Sequence, residues 1–160
     1  MDNEVIARIV DTVVKQLNTP NTGDDITLDA AKRLIEKVKA KAREMGVRAV
    51  VAVAGKSAHP VAIECMDGSY IASFDIALNK SFTSAALKMP TSALKTLAQP
   101  GAPLYGIQFT NNGRIVIFGG GVPLRNKDGE IIGGLGVSGG TEEQDTALAE
   151  YGEAVFQNCI

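Results

Sequence analysis

The sequence predicts an α/β domain of the α+β kind, an antiparallel sheet with helices packed on it, preceded by a separate amphipathic helix. Apolar residues recur three and four apart, the spacing of one helical face, at residues 3–17 and 28–45. Short apolar runs of strand length lie between turns rich in Gly, Pro and Asn. The expected element order is ααββααββββα, in which strands mostly follow one another directly; that order suits antiparallel pairing better than a parallel βαβ array.

Residues 3–17 (NEVIARIVDTVVKQL) put Val5, Ile6, Ile9, Val10, Val13, Val14 and Leu17 on one stripe, with Asp11, Lys15 and Gln16 largely outside it. Residues 18–25 (NTPNTGDD) are polar, hold Pro and Gly, and read as a linker. A helix of about four turns is marginal alone in water, so its stripe needs a surface: its own core, another subunit or a foreign partner. Thr27 is placed to cap a helix over residues 28–45, with Ala31, Leu34, Ile35, Val38 and Ala42 inward and Gly46 at its end. Residues 48–54 and 60–65 read as two buried strands joined by residues 55–59. Met66-Asp67-Gly68 marks a turn, and an Ala/Ser-rich helix over residues 70–88 runs until Pro90 stops it. A short helix at residues 91–98 follows. Residues 107–110 and 114–118, around Asn111-Asn112-Gly113, read as a hairpin. Strands at 122–124 and 130–137 flank an NKDG turn, and a last helix covers 142–157. The main domain therefore occupies residues 26–160.

Composition bounds the function. At 160 residues the chain suits one domain with a modest appendage. Its net charge of −2 gives no basic field for nucleic acid. The Lys37–Arg48 cations are offset by Glu36 and Glu44, as on a solvated helix face. No apolar run reaches the ~18–20 residues that cross a bilayer, and the first residues lack the basic stretch followed by an uninterrupted apolar run, so no secretory signal is expected. Cys65 and Cys159 make no disulfide framework, which points to a reduced, cytoplasmic setting; with a single histidine they make no zinc signature either.

The run IIGGLGVSGGTEEQD (131–145) joins a glycine-interrupted strand to a helix start. Thr141 and Gln144 fit a capping box, and Glu142 and Glu143 suit the positive end of the helix. Gly139, Gly140 and Thr141 read either as a ligand cradle or as a tight strand-to-helix turn. Neither GxGxxG in register nor GxxxxGK[ST] is present. Gly119, Gly120 and Gly121 read as a bulge or as backbone facing a ligand. Asp67, Asp75 and Lys80 are polar residues able to contact a small ligand or to fix a helix to a turn. Ser84, Thr91 and Ser92 lack a histidine partner, so a Ser/His/Asp enzyme is unsupported.

Five stretches together resemble the GlcG/HbpS-like haem-binding family, which includes the C-terminal domain of PduO-type proteins: ITLDAAKRLIEKV (26–38), AIECMDGSYIASFDIALNKSFTSAAL (62–87), PTSAL (90–94), FGGGVPL (118–124) and GGLGVSGGTEEQD (133–145). The resemblance implies a profilin-like sandwich that assembles into dimers up to octamers and binds haem or, less readily, a corrinoid, with a role in cofactor handling or redox sensing. It departs from the family where an Asp often follows the first strand; here the residues are Val53-Ala54-Gly55-Lys56. Under the resemblance His59, the sole imidazole, is a possible axial ligand to iron; Tyr70, Tyr105 and Cys65 are others. Lys80 or Arg125 would neutralise a haem propionate.

Residues 3–17 are similar to the encapsulation peptides that carry cargo into bacterial microcompartments by laying an apolar face in a groove of a shell protein. The expectation is therefore a haem- or corrinoid-binding accessory protein in a microcompartment lumen. A small-molecule enzyme using Asp67, Asp75 and Lys80, or a non-catalytic oligomeric module, are the alternatives.

Overall fold

The computed structural model describes residues 3–17 and 25–160; the expected linker, apart from Asp25, lies outside them. In chain order the elements are α1 (Asn3–Leu17), α2 (Leu28–Glu44), β1 (Val50–Gly55), β2 (Pro60–Cys65), α3 (Ser73–Leu87), the short α4 (Leu94–Leu97), β3 (Gly121–Arg125), β4 (Ile131–Ser138) and α5 (Glu142–Val155). The four strands form one antiparallel sheet in the order β2-β1-β4-β3. The expected fold class is the one observed.

Helices cover both faces of the sheet. On one side α2 and α5 close a core in which Leu34, Ile35 and Val38 meet Val51, Val53, Leu135, Val137 and Leu148. Thr27 caps α2 as expected, its Oγ1 accepting from the Ala30 amide at 3.1 Å. On the other side α3 lies so close to the strands that no ordinary side chain fits beneath it. A Cβ on Gly136 would strike the Ala77 carbonyl, and one on Gly134 the Ser81 carbonyl. The helix answers with small residues facing inward (Ser73, Ala77, Ser81, Ser84, Ala85), and the Ser84 hydroxyl donates back to the Lys80 carbonyl at 3.0 Å. The abundance of Gly, Ala and Ser is thus a packing requirement.

Two expectations are corrected. Strand β2 is only half-buried, because it is an edge strand with a partner on one side. Residues 107–118 form no hairpin. They make successive 3-10 turns at Ile107–Phe109 and Asn111–Gly113, with Asn111 and Asn112 both at positive φ. The following stretch is tied to α3 instead of to a strand: the Val116 amide donates to Thr83 Oγ1 at 3.0 Å, and that hydroxyl, 2.7 Å from the Asn79 carbonyl of its own helix, lies 3.2 Å from the Arg114 carbonyl.

Helix α1 forms over the expected residues. Its stripe from Val5 to Val14 is 43–55% exposed at every apolar position, so no described residue covers it.

Candidate functional site

Lys80 is among the largest fully buried side chains of the domain, with no exposed surface. It lies on α3 at the seam with β4 and α5. Its Nζ donates to the Val137 carbonyl at 2.8 Å and to Asp145 Oδ2 at 2.9 Å, and stands 5.0 Å from the centre of the Phe118 ring. Asp145 Oδ1 in turn accepts from the Gly140 amide at 2.9 Å. Burial pushes the Lys80 ammonium below its ordinary range, against the pull of Asp145. Asp145 is the partner that the sequence did not reveal: it sits 65 residues away, and no helical or strand spacing connects the two.

This pair organises the glycine-rich segments. A Cβ on Gly120 would come 2.5 Å from Lys80 Nζ, one on Gly121 would come 2.6 Å from Thr91 Cγ2, and one on Gly119 would strike the Thr146 hydroxyl. The Gly121 amide donates to Thr91 Oγ1 at 2.9 Å, and the Gly119 amide donates to Glu142 Oε1 at 3.0 Å. Lys95 and the Gly119 amide hold the Glu142 carboxyl below its usual range. At the strand-to-helix turn the capping box is complete: Thr141 Oγ1 accepts from the Gln144 amide, and the Thr141 amide donates to Gln144 Oε1. With the Gly140 amide on Asp145, the Gly140 and Thr141 N–H groups are both spent within the chain.

Above the Lys80–Asp145 pair opens a cleft of about 290 Å³. Tyr70, Ile76 and Phe118 give it apolar walls. Ser73 and Ser138, whose hydroxyls are 3.1 Å apart, and the carboxylates Glu142 and Asp145 supply its polar side chains. Tyr70 brings the one side chain in this lining that commonly ligates haem iron. The cleft therefore suits a ligand with a large apolar face, with a phenol at its mouth.

The structure separates the remaining residues singled out from the sequence. Asp75 is exposed in the first turn of α3, away from the buried Lys80. Asp67 belongs to a second cleft, of about 590 Å³, which it shares with Lys39, Arg43, Arg48 and Cys65. His59 is exposed on the β1–β2 connection, its Nδ1 3.0 Å from the Ser57 hydroxyl. Arg125 ends β3 and donates to the Gly129 carbonyl at 2.9 Å. Val50 pairs with Ser138 and Gly55 with Gly133, so His59 and Arg125 lie at the sheet end opposite the Tyr70 cleft. The length of β1, roughly 17 Å at ~3.4 Å per residue, separates the two ends. A carboxylate does stand at the end of β1, where the sequence after Val53 has none: Asp25 Oδ1 accepts from the Lys56 amide at 2.8 Å.

Residues 26–154 match the family described as haem degrading protein HbpS-like. The chain belongs to the HbpS-like family. This HbpS-like chain is 47% identical over 125 residues to an uncharacterized 15.0 kDa protein of the dhaT-dhaS intergenic region of Citrobacter freundii, a match covering 78% of this chain and 87% of that one. It is also 30% identical over 151 residues to the corrinoid adenosyltransferase PduO of Citrobacter freundii; the match covers 92% of this chain but 45% of PduO, so the chain spans under half of that relative's length. Among solved structures, Klebsiella pneumoniae ORFY superposes with a TM-score of 0.81 at 40% identity, covering 87% of this chain and 95% of that one. A PduOC:heme complex superposes with a TM-score of 0.77 at 33% identity, covering 81% and 93%. The HbpS-like match begins at the foot of α2 and leaves α1 outside it.

Proposed function

We propose that this HbpS-like chain is a haem-binding accessory protein that works as an assembly of copies and is carried into a bacterial microcompartment by α1. The observation that carries the haem reading is the Tyr70 cleft, in a chain 33% identical to a protein crystallised as its haem complex. The lining suits the group in chemistry: Ile76 and Phe118 offer apolar surface to a ring, and Tyr70 offers a phenol to iron. At about 290 Å³ the cleft sits at the lower edge of the roughly 300–1,000 Å³ range of ligand pockets, so it holds part of a macrocycle. Tyr70, Ile71 and Phe74, all exposed, extend the apolar surface beyond it and leave the far face of the ring for a second copy to cover. Bound iron would supply the redox chemistry; the protein holds the ring, excludes water from one face and offers the phenol oxygen.

Titration with haemin tests this directly. Wild-type protein should give a shifted Soret band. Tyr70→Phe should move that band, whereas His59→Ala should leave it in place, because His59 lies at the other end of the sheet. A Soret band unchanged by Tyr70→Phe removes the phenol from the iron, and no shift in the wild type defeats the reading. A corrinoid added in competition distinguishes the two tetrapyrrole classes.

Support for targeting comes from the exposed stripe of α1, from its position outside the HbpS-like match and from its similarity to encapsulation peptides. Among the described residues no helix is long and apolar enough to cross a membrane. Deleting residues 1–22 should abolish co-sedimentation with shells and leave the thermal midpoint of the domain unchanged. Retained co-sedimentation would refute targeting by α1.

A further inference from the structure

We propose that the second cleft, between the end of α2 and the turn after β2, is a carboxylate site that seats the propionates of the ligand whose ring occupies the Tyr70 cleft. This rests on the haem reading and adds the anchor that the Tyr70 cleft lacks. Burying or pinning a propionate requires a cation, and planar guanidinium groups bind carboxylates bidentately. The two cations expected from the sequence to do so are committed elsewhere. Lys80 is sealed beneath the cleft by Asp145 and Val137, and Arg125 is at the far end of the sheet on the Gly129 carbonyl. Lys95, which neighbours the Tyr70 cleft through Glu142, is paired with that carboxylate at 2.6 Å.

Arg43 and Arg48 differ from these. They line the roughly 590 Å³ cleft, and among the described residues neither has a carboxylate within 4.0 Å. The third cation of that lining, Lys39, is held by Glu36 and Glu64. Among the described residues Asp67 is the one acidic residue of that lining, so two guanidinium groups face one carboxylate across an open cleft. The turn is shaped to admit Arg48: Gly68 has a φ of +75°, and a Cβ there would come 2.8 Å from Arg48 Nη1.

The two clefts open at the same end of the sheet, the cationic one on the α2 side and the Tyr70 cleft on the α3 side, and the backbone brings their walls together. The Arg48 carbonyl and Ala49 Cα lie against Gly139, which is part of the wall of the Tyr70 cleft. The turn that carries Asp67 and Gly68 runs directly into Tyr70. This end of the sheet is therefore apolar with a phenol on its α3 side and cationic on its α2 side. A flat ring with carboxylates along one side has the same division.

The full chain, its Arg43→Gln/Arg48→Gln variant and an Arg125→Gln control are titrated with haemin and with haemin dimethyl ester in one detergent-containing buffer. Affinity is read from the Soret band. Wild type and Arg125→Gln should prefer haemin over the ester by roughly tenfold to a hundredfold, the worth of one or two charge-assisted hydrogen bonds. The double variant should lose that preference, and its affinity for the ester and its Soret maximum should match wild type. Circular dichroism verifies that it is folded, as expected for two exposed side chains. A double variant that still prefers haemin places the propionates elsewhere and overturns the inference while the haem reading stands. Equal wild-type affinity for haemin and ester also overturns it. Absence of any Soret shift with either compound overturns both.

Discussion

Lys80→Met is expected to lower the unfolding free energy by roughly 3–5 kcal/mol, the cost of stranding one charge of a buried pair. The substitution removes the ammonium from Asp145 Oδ2 and from the Val137 carbonyl, and leaves the Asp145 carboxylate buried with one donor, the Gly140 amide. Chemical denaturation measures the loss. The double variant Lys80→Met/Asp145→Leu should recover a large part of it, because an apolar pair of similar volume needs no charge compensation. A loss under about 1 kcal/mol for the single variant would mean that the pair does not fasten α3 to α5. The pH dependence has a definite sign. An ammonium held below its ordinary 10.5 binds fewer protons in the folded chain than in the unfolded one, at pH values between its folded pKa and 10.5. Through this window the contribution of Lys80 makes stability rise with pH, and Lys80→Met should lack that contribution.

Gly136→Val is expected to cost about 3 kcal/mol, at the upper end for overpacking a well-filled interior. The obstruction is backbone: even a Cβ would strike the Ala77 carbonyl and come 2.5 Å from the Ser81 amide. Neither can rotate away as a flexible side chain can, so α3 as a whole must lift off the sheet. Because α3 begins at the Tyr70 cleft and carries Ser73 and Ile76 into it, haemin affinity should fall together with the thermal midpoint. Gly136→Ala should show the same two losses in weaker form. A variant with an unchanged midpoint would show that α3 has room to move.

Local chemistry made much of the fold readable. Thr27 and Thr141 act within three residues of themselves, so their caps were legible where the helices begin. The edge position of β2 was not, because burial of a strand depends on how many neighbours it has. The 107–118 segment looked like a hairpin since Asn-Asn-Gly favours a reversal, but Thr83 of α3 takes the hydrogen bonds that a partner strand would have made.

The site divides in the same way. Residues of three of the motif stretches converge at one end of the sheet, as Lys80, Gly120, Gly140 and Asp145 show. Their pairing across 65 residues left no trace in spacing. His59, the sole imidazole, and Arg125 looked eligible as ligand and cation until strand register put them at the opposite end. Arg43 and Arg48 read as part of a solvated helix face until the fold set them beside the turn that leads to Tyr70. By itself the sequence determined the fold class, the capped helices and the family, because periodicity, caps and motifs act over a few residues. Only the tertiary structure decided which charges are buried, which cations lack a partner and which candidates share a cleft, since those properties depend on distances between residues far apart in the chain.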